Sequence, residues 1–96
     1  MVVGVLQFEL EIEWAQSLKD KRRVVSSLKD RLHREHQVSV AEVGRLDDCR
    51  VAVLGVAVAS GGSTRCRQVL DNVLGKVRKA KDCVLSDYTV EIIAGH

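Results

Sequence analysis

From Val2 to Glu13 the chain alternates strictly, with Leu6, Phe8, Leu10 and Ile12 on one side and Gln7, Glu9, Glu11 and Glu13 on the other. A period of two predicts a half-buried β-strand, one face toward a core and one toward water. After Trp14-Ala15-Gln16 the period changes. Ser17 is a good N-cap, and Leu18, Val25, Leu28 and Leu32, widened by Val24, recur at helical spacing, predicting a helix from Leu18 to about Glu35. Three residues beyond the cap stands Asp20, where a capping box has Glu or Gln; it has the right sign for a helix N-terminus.

Val38 to Val43 reads as a second strand, with Val38 and Val40 on one face and Ala41 and Val43 on the other. Gly44 to Cys49 is a polar turn. Arg50 to Ala59 is apolar throughout, with Val51, Val53, Gly55, Ala57 and Ala59 on one face and Ala52, Leu54, Val56 and Val58 on the other. Such a run belongs in the middle of a sheet. Ser60-Gly61-Gly62 breaks it, and Ser63 is the expected cap of a second helix from Thr64 to about Lys81. Cys66, Val69, Leu70, Val73, Val77 and Ala80 form its buried stripe, with Leu74 at the margin; Gly75 weakens it by roughly 1 kcal/mol relative to alanine. A last strand, Val84 to Ala94, is expected to place Tyr88, Val90 and Ile92 in the core and Thr89, Glu91 and Ile93 outside.

The order strand, helix, strand, strand, helix, strand is the ferredoxin-like βαββαβ pattern, an α+β sandwich with both helices on one face of a four-stranded antiparallel sheet. The first and third strands are expected at the centre and the second and fourth at the edges. With 96 residues, 46% of them hydrophobic and 29% charged, the chain is expected to form one domain spanning 1–96 around one small core. Its longest apolar run, Val51 to Ala59, is too short to cross a bilayer, and Met1 leads directly into a strand. These features predict a soluble, unprocessed, cytoplasmic protein with no membrane partner.

Net charge is only +2, but its distribution is uneven. Leu18 to His36 holds seven Lys and Arg against three acids, and Thr64 to Lys81 holds six against Asp71 alone. The remainder has two bases and nine acids, so the helix layer is basic and the sheet layer acidic. Either helix alone also fits a solvated surface. The start of the first helix is harder to explain that way, because Lys19, Lys21, Arg22 and Arg23 stand at the positive end of the helix dipole, where cations cost roughly a few tenths of a kcal/mol each. An anion such as phosphate would account for them. Lys19, Lys21, Arg22, Arg23 and Lys29 are therefore the candidate RNA- or anion-binding residues.

Base stacking on the sheet is excluded, because the positions that carry aromatics in RNA-recognition motifs hold Gln7, Glu9 and Glu11 on the first strand and Val53, Gly55 and Ala57 on the third. RNA contacts would run to phosphates and shape. The apolar half of that face predicts a homodimer interface at Val51, Val53 and Ala57, although a small exposed patch is also ordinary. Cys49, Cys66 and Cys83 form no C-x-x-C pair and read as idle thiols. His33 and His36 lie three apart without a third ligand, and Ser60-Gly61-Gly62-Ser63-Thr64 lacks the lysine and spacing of a P-loop. With no nucleophile placed beside a histidine in an identifiable motif, no catalytic residue, metal or cofactor is assigned.

Ser17-Leu18-Lys19-Asp20-Lys21-Arg22-Arg23-Val24-Val25, Val38-Ser39-Val40-Ala41-Glu42-Val43, Leu54-Gly55-Val56-Ala57-Val58 and Asp87-Tyr88-Thr89-Val90-Glu91-Ile92-Ile93 together resemble the YlxP-like family of small bacterial proteins, labelled a domain of unknown function. The resemblance spans nearly the whole chain, and Ser17 to Arg22 is its most specific element. It implies a ferredoxin-like fold and a setting among bacterial genes for translation initiation and ribosome maturation. It carries no catalytic residues. Relatives often hold an aromatic in the turn before the third strand, where this chain has Leu46 to Cys49.

The resulting expectation is a non-enzymatic accessory protein, linked to translation or ribosome maturation, that binds RNA or a ribosomal subunit through its basic helices as a homodimer. The alternative is a dimeric regulatory module that binds a small metabolite at a sheet or loop interface, which would put its uncompensated charge in the strand-to-helix loops.

Overall fold

The computed structural model describes Met1–Gly95. Its elements are β1 (Val2–Glu11), α1 (Leu18–His36), β2 (Ser39–Gly44), β3 (Val51–Ser60), α2 (Ser63–Arg78) and β4 (Val84–Ala94). The sheet runs β2-β3-β1-β4 with every neighbouring pair antiparallel, so β1 and the continuously apolar β3 are central, as the βαββαβ order predicts.

β1 supplies Leu6, Phe8 and Leu10 to the core, and Ile12, just past its end, remains buried. Opposite them β3 contributes Ala52, Leu54 and Val56. Val24, Val25, Leu28 and Leu32 of α1 and Leu70, Val73, Leu74 and Val77 of α2 close over this one sheet face. The open face carries the alternate residues of the same strands.

Local chemistry explains where the helices start and stop. The Asp20 N–H donates to Ser17 Oγ at 3.2 Å, and Asp20 Oδ2 accepts from the Gln16 N–H at 2.9 Å, so the shorter acid completes a reciprocal cap. α1 closes at Gln37, which adopts a left-handed φ of 55° and donates its N–H to the His33 carbonyl. α2 begins one residue earlier than expected. Gly62 is its N-cap, without a side-chain bond, and Ser63 is already helical. Lys79 caps its other end, so the helix stops at Arg78 rather than Lys81.

Tyr88 corrects the expected core. It lies opposite Phe8 and so on the helix side of the sheet, yet it is 43% exposed, because β4 is an edge strand. The Arg78 guanidinium covers its ring at 5.4 Å, which gives the aromatic face a cation in place of a buried neighbour. A register shift in β4 opposite Glu9 and Leu10 leaves Ser86 out of the pairing, and its hydroxyl donates to the Glu9 carbonyl at 3.2 Å.

Gly4 is the tightest point between sheet and helix. A Cβ there would lie 2.5 Å from Cys66 Sγ and 2.9 Å from Leu70 Cδ1, both buried on α2. Gly4→Ala is therefore expected to destabilise the fold by about 1–3 kcal/mol in urea denaturation, by forcing α2 away from β1. A neutral result would show that this approach is not close-packed.

Candidate nucleic-acid interface on the first helix

The Ser17–Arg23 segment does two different jobs, separated by the helical period. Lys21 follows the spacing of Val24, Val25, Leu28 and Leu32 and therefore points inward, where it is 1% exposed. Its ammonium meets Glu42 Oε2 at 2.8 Å and donates to the carbonyls of Arg45 at 2.9 Å and Val51 at 3.2 Å. Two carbonyls accept from the ammonium and the Glu42 carboxylate supplies the counter-charge at ion-pair distance, so the enclosed charge is neutralised although Glu42 Oε2 itself accepts no well-aligned hydrogen bond. Glu42 occupies the helix-facing side of β2 beyond Val40, with 19% of its side chain exposed. The expectation that Lys21 binds an anionic partner is thus corrected: the ammonium is enclosed and its charge is already paired with Glu42.

Lys19, Arg22 and Arg23 point the other way. They are exposed, and with Ser26, Ser27 and Asp30 they line one shallow depression on the outer surface of α1. Lys29, half-buried, stands about 10 Å along the helix from Arg22 at 1.5 Å per residue. Among the described residues, the Lys and Arg side chains that form ion pairs are Lys21, Arg45 and Lys76. The outward cations of α1 have no carboxylate partner in that set.

A second basic depression was not anticipated from the sequence. Arg31 of α1 joins Lys79, Ala80, Lys81 and Asp82, which follow α2. Nearby in the fold Lys76 bridges to Glu35 at 2.8 Å, and the Lys76 hydrogen bond holds the exposed Glu35 carboxyl below its ordinary range. In the sequence Arg31 is only one of the seven bases of the first helix, and the chain path after α2 brings Lys79 and Lys81 beside it.

The expected dimer residues Val51, Val53 and Ala57 share the open sheet face, Ala57 exposed and the two valines half-buried. They are on the opposite side of the sheet from the basic helices. Among the described residues no three His, Cys, Asp or Glu side chains cluster in a way that could hold a metal ion. His33 instead places Nδ1 3.0 Å from the Val38 carbonyl, a contact that joins the end of α1 to the start of β2. No helix of the described residues is long and apolar enough to cross a membrane.

The model of a family described as "Protein of unknown function (DUF503)" matches residues 3–90. The chain belongs to that family. This DUF503 chain is 30% identical over 73 residues to the uncharacterized protein YlxP of Bacillus subtilis (strain 168), covering 76% of this chain and 79% of the relative. In solved structures it is similar to a de novo designed protein with a ferredoxin fold, at a TM-score of 0.61 and 15% identity, over 94% of this chain and 85% of the other. That likeness supports the architecture. The family match covers every residue of the α1 depression and the Lys21 pair.

Two outcomes follow for this DUF503 chain. Lys21→Ala is expected to cost about 3 kcal/mol or more in urea denaturation by stranding Glu42, while Lys21→Met combined with Glu42→Leu recovers most of the loss; a cost under about 1 kcal/mol for Lys21→Ala would mean the ammonium is not enclosed. Burial pushes the Cys83 thiol up to about 11, with the neighbouring Asp82 charge adding to it. Because the thiolate is the nucleophile, alkylation of Cys83 in the native protein at pH 8 should be about a hundredfold slower than in the unfolded chain, read by mass spectrometry.

Proposed function

We propose that this chain is a non-enzymatic accessory protein that binds RNA, free or within a ribosomal particle, through the outer face of α1 and the adjoining Arg31–Lys79–Lys81 depression. The observation that carries the reading is that Lys19, Arg22 and Arg23 are held outward without carboxylate partners, while the one lysine of the segment with a structural task is turned inward. Unpaired cations on a rigid helix attract phosphate backbones and release their counterions. Helical rigidity fixes their spacing, so phosphates are engaged without a folding cost at binding.

Two further observations support phosphate contact over base reading. The open sheet face carries no aromatic residue on β1 or β3 for stacking. The segments linking strand to helix, Ile12–Ser17 and Gly61-Gly62, hold no Lys or Arg, which favours this reading over an anionic metabolite bound at those loops.

Co-sedimentation with small ribosomal subunits and with bulk RNA across a salt series tests the reading. Binding should weaken steeply with salt. Lys19→Glu/Arg22→Glu/Arg23→Glu should reduce both the affinity and the steepness of that salt dependence, by about 1 in the log–log slope for each phosphate no longer engaged. Sedimentation equal to wild type in that variant, or none for wild type at low salt, would overturn it.

A further inference from the structure

The open face of the sheet has its own composition. The four strands contain Glu9, Glu11, Glu42, Asp87 and Glu91 and no Lys or Arg at all. Only Glu42 of these is spent on a cation of the helix side. Register sets Glu9 directly opposite Asp87, two like charges across a strand pair, an arrangement that is unfavourable in the isolated chain.

Beside these acids the face is apolar and hollow. Ala41, Gly55 and Gln7 form one cross-strand row, and Ser39, Ala57 and Val5 the next. Gly55 carries no side chain and Val43 leans over it, with Cγ1 3.1 Å from where a Cβ would stand, so that Val5, Ala41, Val43 and Ala57 wall a concavity of about 330 Å³ there. Gln7 also lines the neighbouring hollow at Glu9, Val53, Asp87 and Thr89, so an apolar and an acidic hollow lie side by side with Gln7 as their shared wall, a two-part trough.

We propose that this trough docks an extended cationic segment of a protein partner, with a bulky apolar side chain seated over Gly55 and Lys or Arg beside Glu9 and Asp87. Charge complementarity selects this occupant. A second copy packed sheet face to sheet face would present the same acidic strands, so the homodimer suggested by Val51, Val53 and Ala57 alone would bring like charges together. The geometry sets a spacing: β3 and β4 stand two strand intervals apart, about 10 Å, or roughly three residues of extended peptide between anchor and cation. A cationic strand segment with such an anchor relieves the Glu9–Asp87 repulsion and fills the glycine hollow together. This surface lies on the face opposite the proposed RNA-binding helices, so either can act without the other.

Fluorescence anisotropy with a labelled synthetic peptide of lysines and leucines tests it, alongside one companion with leucine replaced by serine and another with lysine replaced by glutamate. The lysine-leucine peptide should bind, and each companion should bind at least roughly tenfold more weakly. Glu9→Lys/Asp87→Lys and, separately, Ala57→Arg should each weaken it by a similar factor, while Arg22→Glu/Arg23→Glu leaves it unchanged. Ala57 is exposed, so that variant is expected to fold, which circular dichroism checks. Equal binding to the charge-reversed protein, equal binding of the serine peptide, or a wild-type dimer in analytical ultracentrifugation that Ala57→Arg converts to monomer would each overturn the proposal.

Discussion

The enclosed ammonium of Lys21 is the constraint from which the arrangement of this molecule follows. It joins four separate pieces of chain: the first turns of α1, the edge strand β2 through Glu42, the hairpin turn through the Arg45 carbonyl, and the start of β3 through the Val51 carbonyl. β2 is short and hydrogen-bonded on one side only, so the apolar contacts of Val38 and Val40 alone hold it weakly. A paired charge in the core is no more stabilising than a packed hydrocarbon, but it tolerates few geometries. The one adopted sets the rotation of α1. With Lys21 inward, Lys19, Arg22 and Arg23 face solvent.

The consequence is a molecule with two oppositely charged faces. Both helices bring cations to one side of the sheet, and the strands bring acids without bases to the other. The core between them is thin, one layer of aliphatic side chains in which Phe8 supplies the fully buried aromatic ring. Partners that combine a phosphate backbone with basic protein segments match both faces at once, whereas a nucleic acid alone matches only the helices. The two proposed surfaces are therefore compatible with one assembly and testable apart.

Much of this was legible in the sequence, because periodicity is set by which side of an element meets the core. The alternation of β1 and the unbroken apolar run of β3 mark both as strands, and the βαββαβ order places them at the centre. Tyr88 is misplaced by the same pattern for a physical reason: alternation gives the side of the sheet but not whether a helix reaches over an edge strand. Lys21 is misplaced when a charged residue is read by its charge rather than its position. The signal was present, since Lys21 falls on the stripe of Val25, Leu28 and Leu32 and Glu42 falls on the inward side of β2, two opposite charges at two core-facing positions. The depression at Arg31, Lys79 and Lys81 had no such signal, because it depends on where the chain turns after α2.

The division of faces is tested most directly by following backbone amide resonances while a single-stranded RNA is titrated into the isotopically labelled protein. Shifts are expected at Lys19, Arg22, Arg23 and Ser26 and near Lys79, with Gln7, Gly55, Ala57 and Thr89 unmoved. Shifts confined to the open sheet face, with the outer surface of α1 silent, would contradict it.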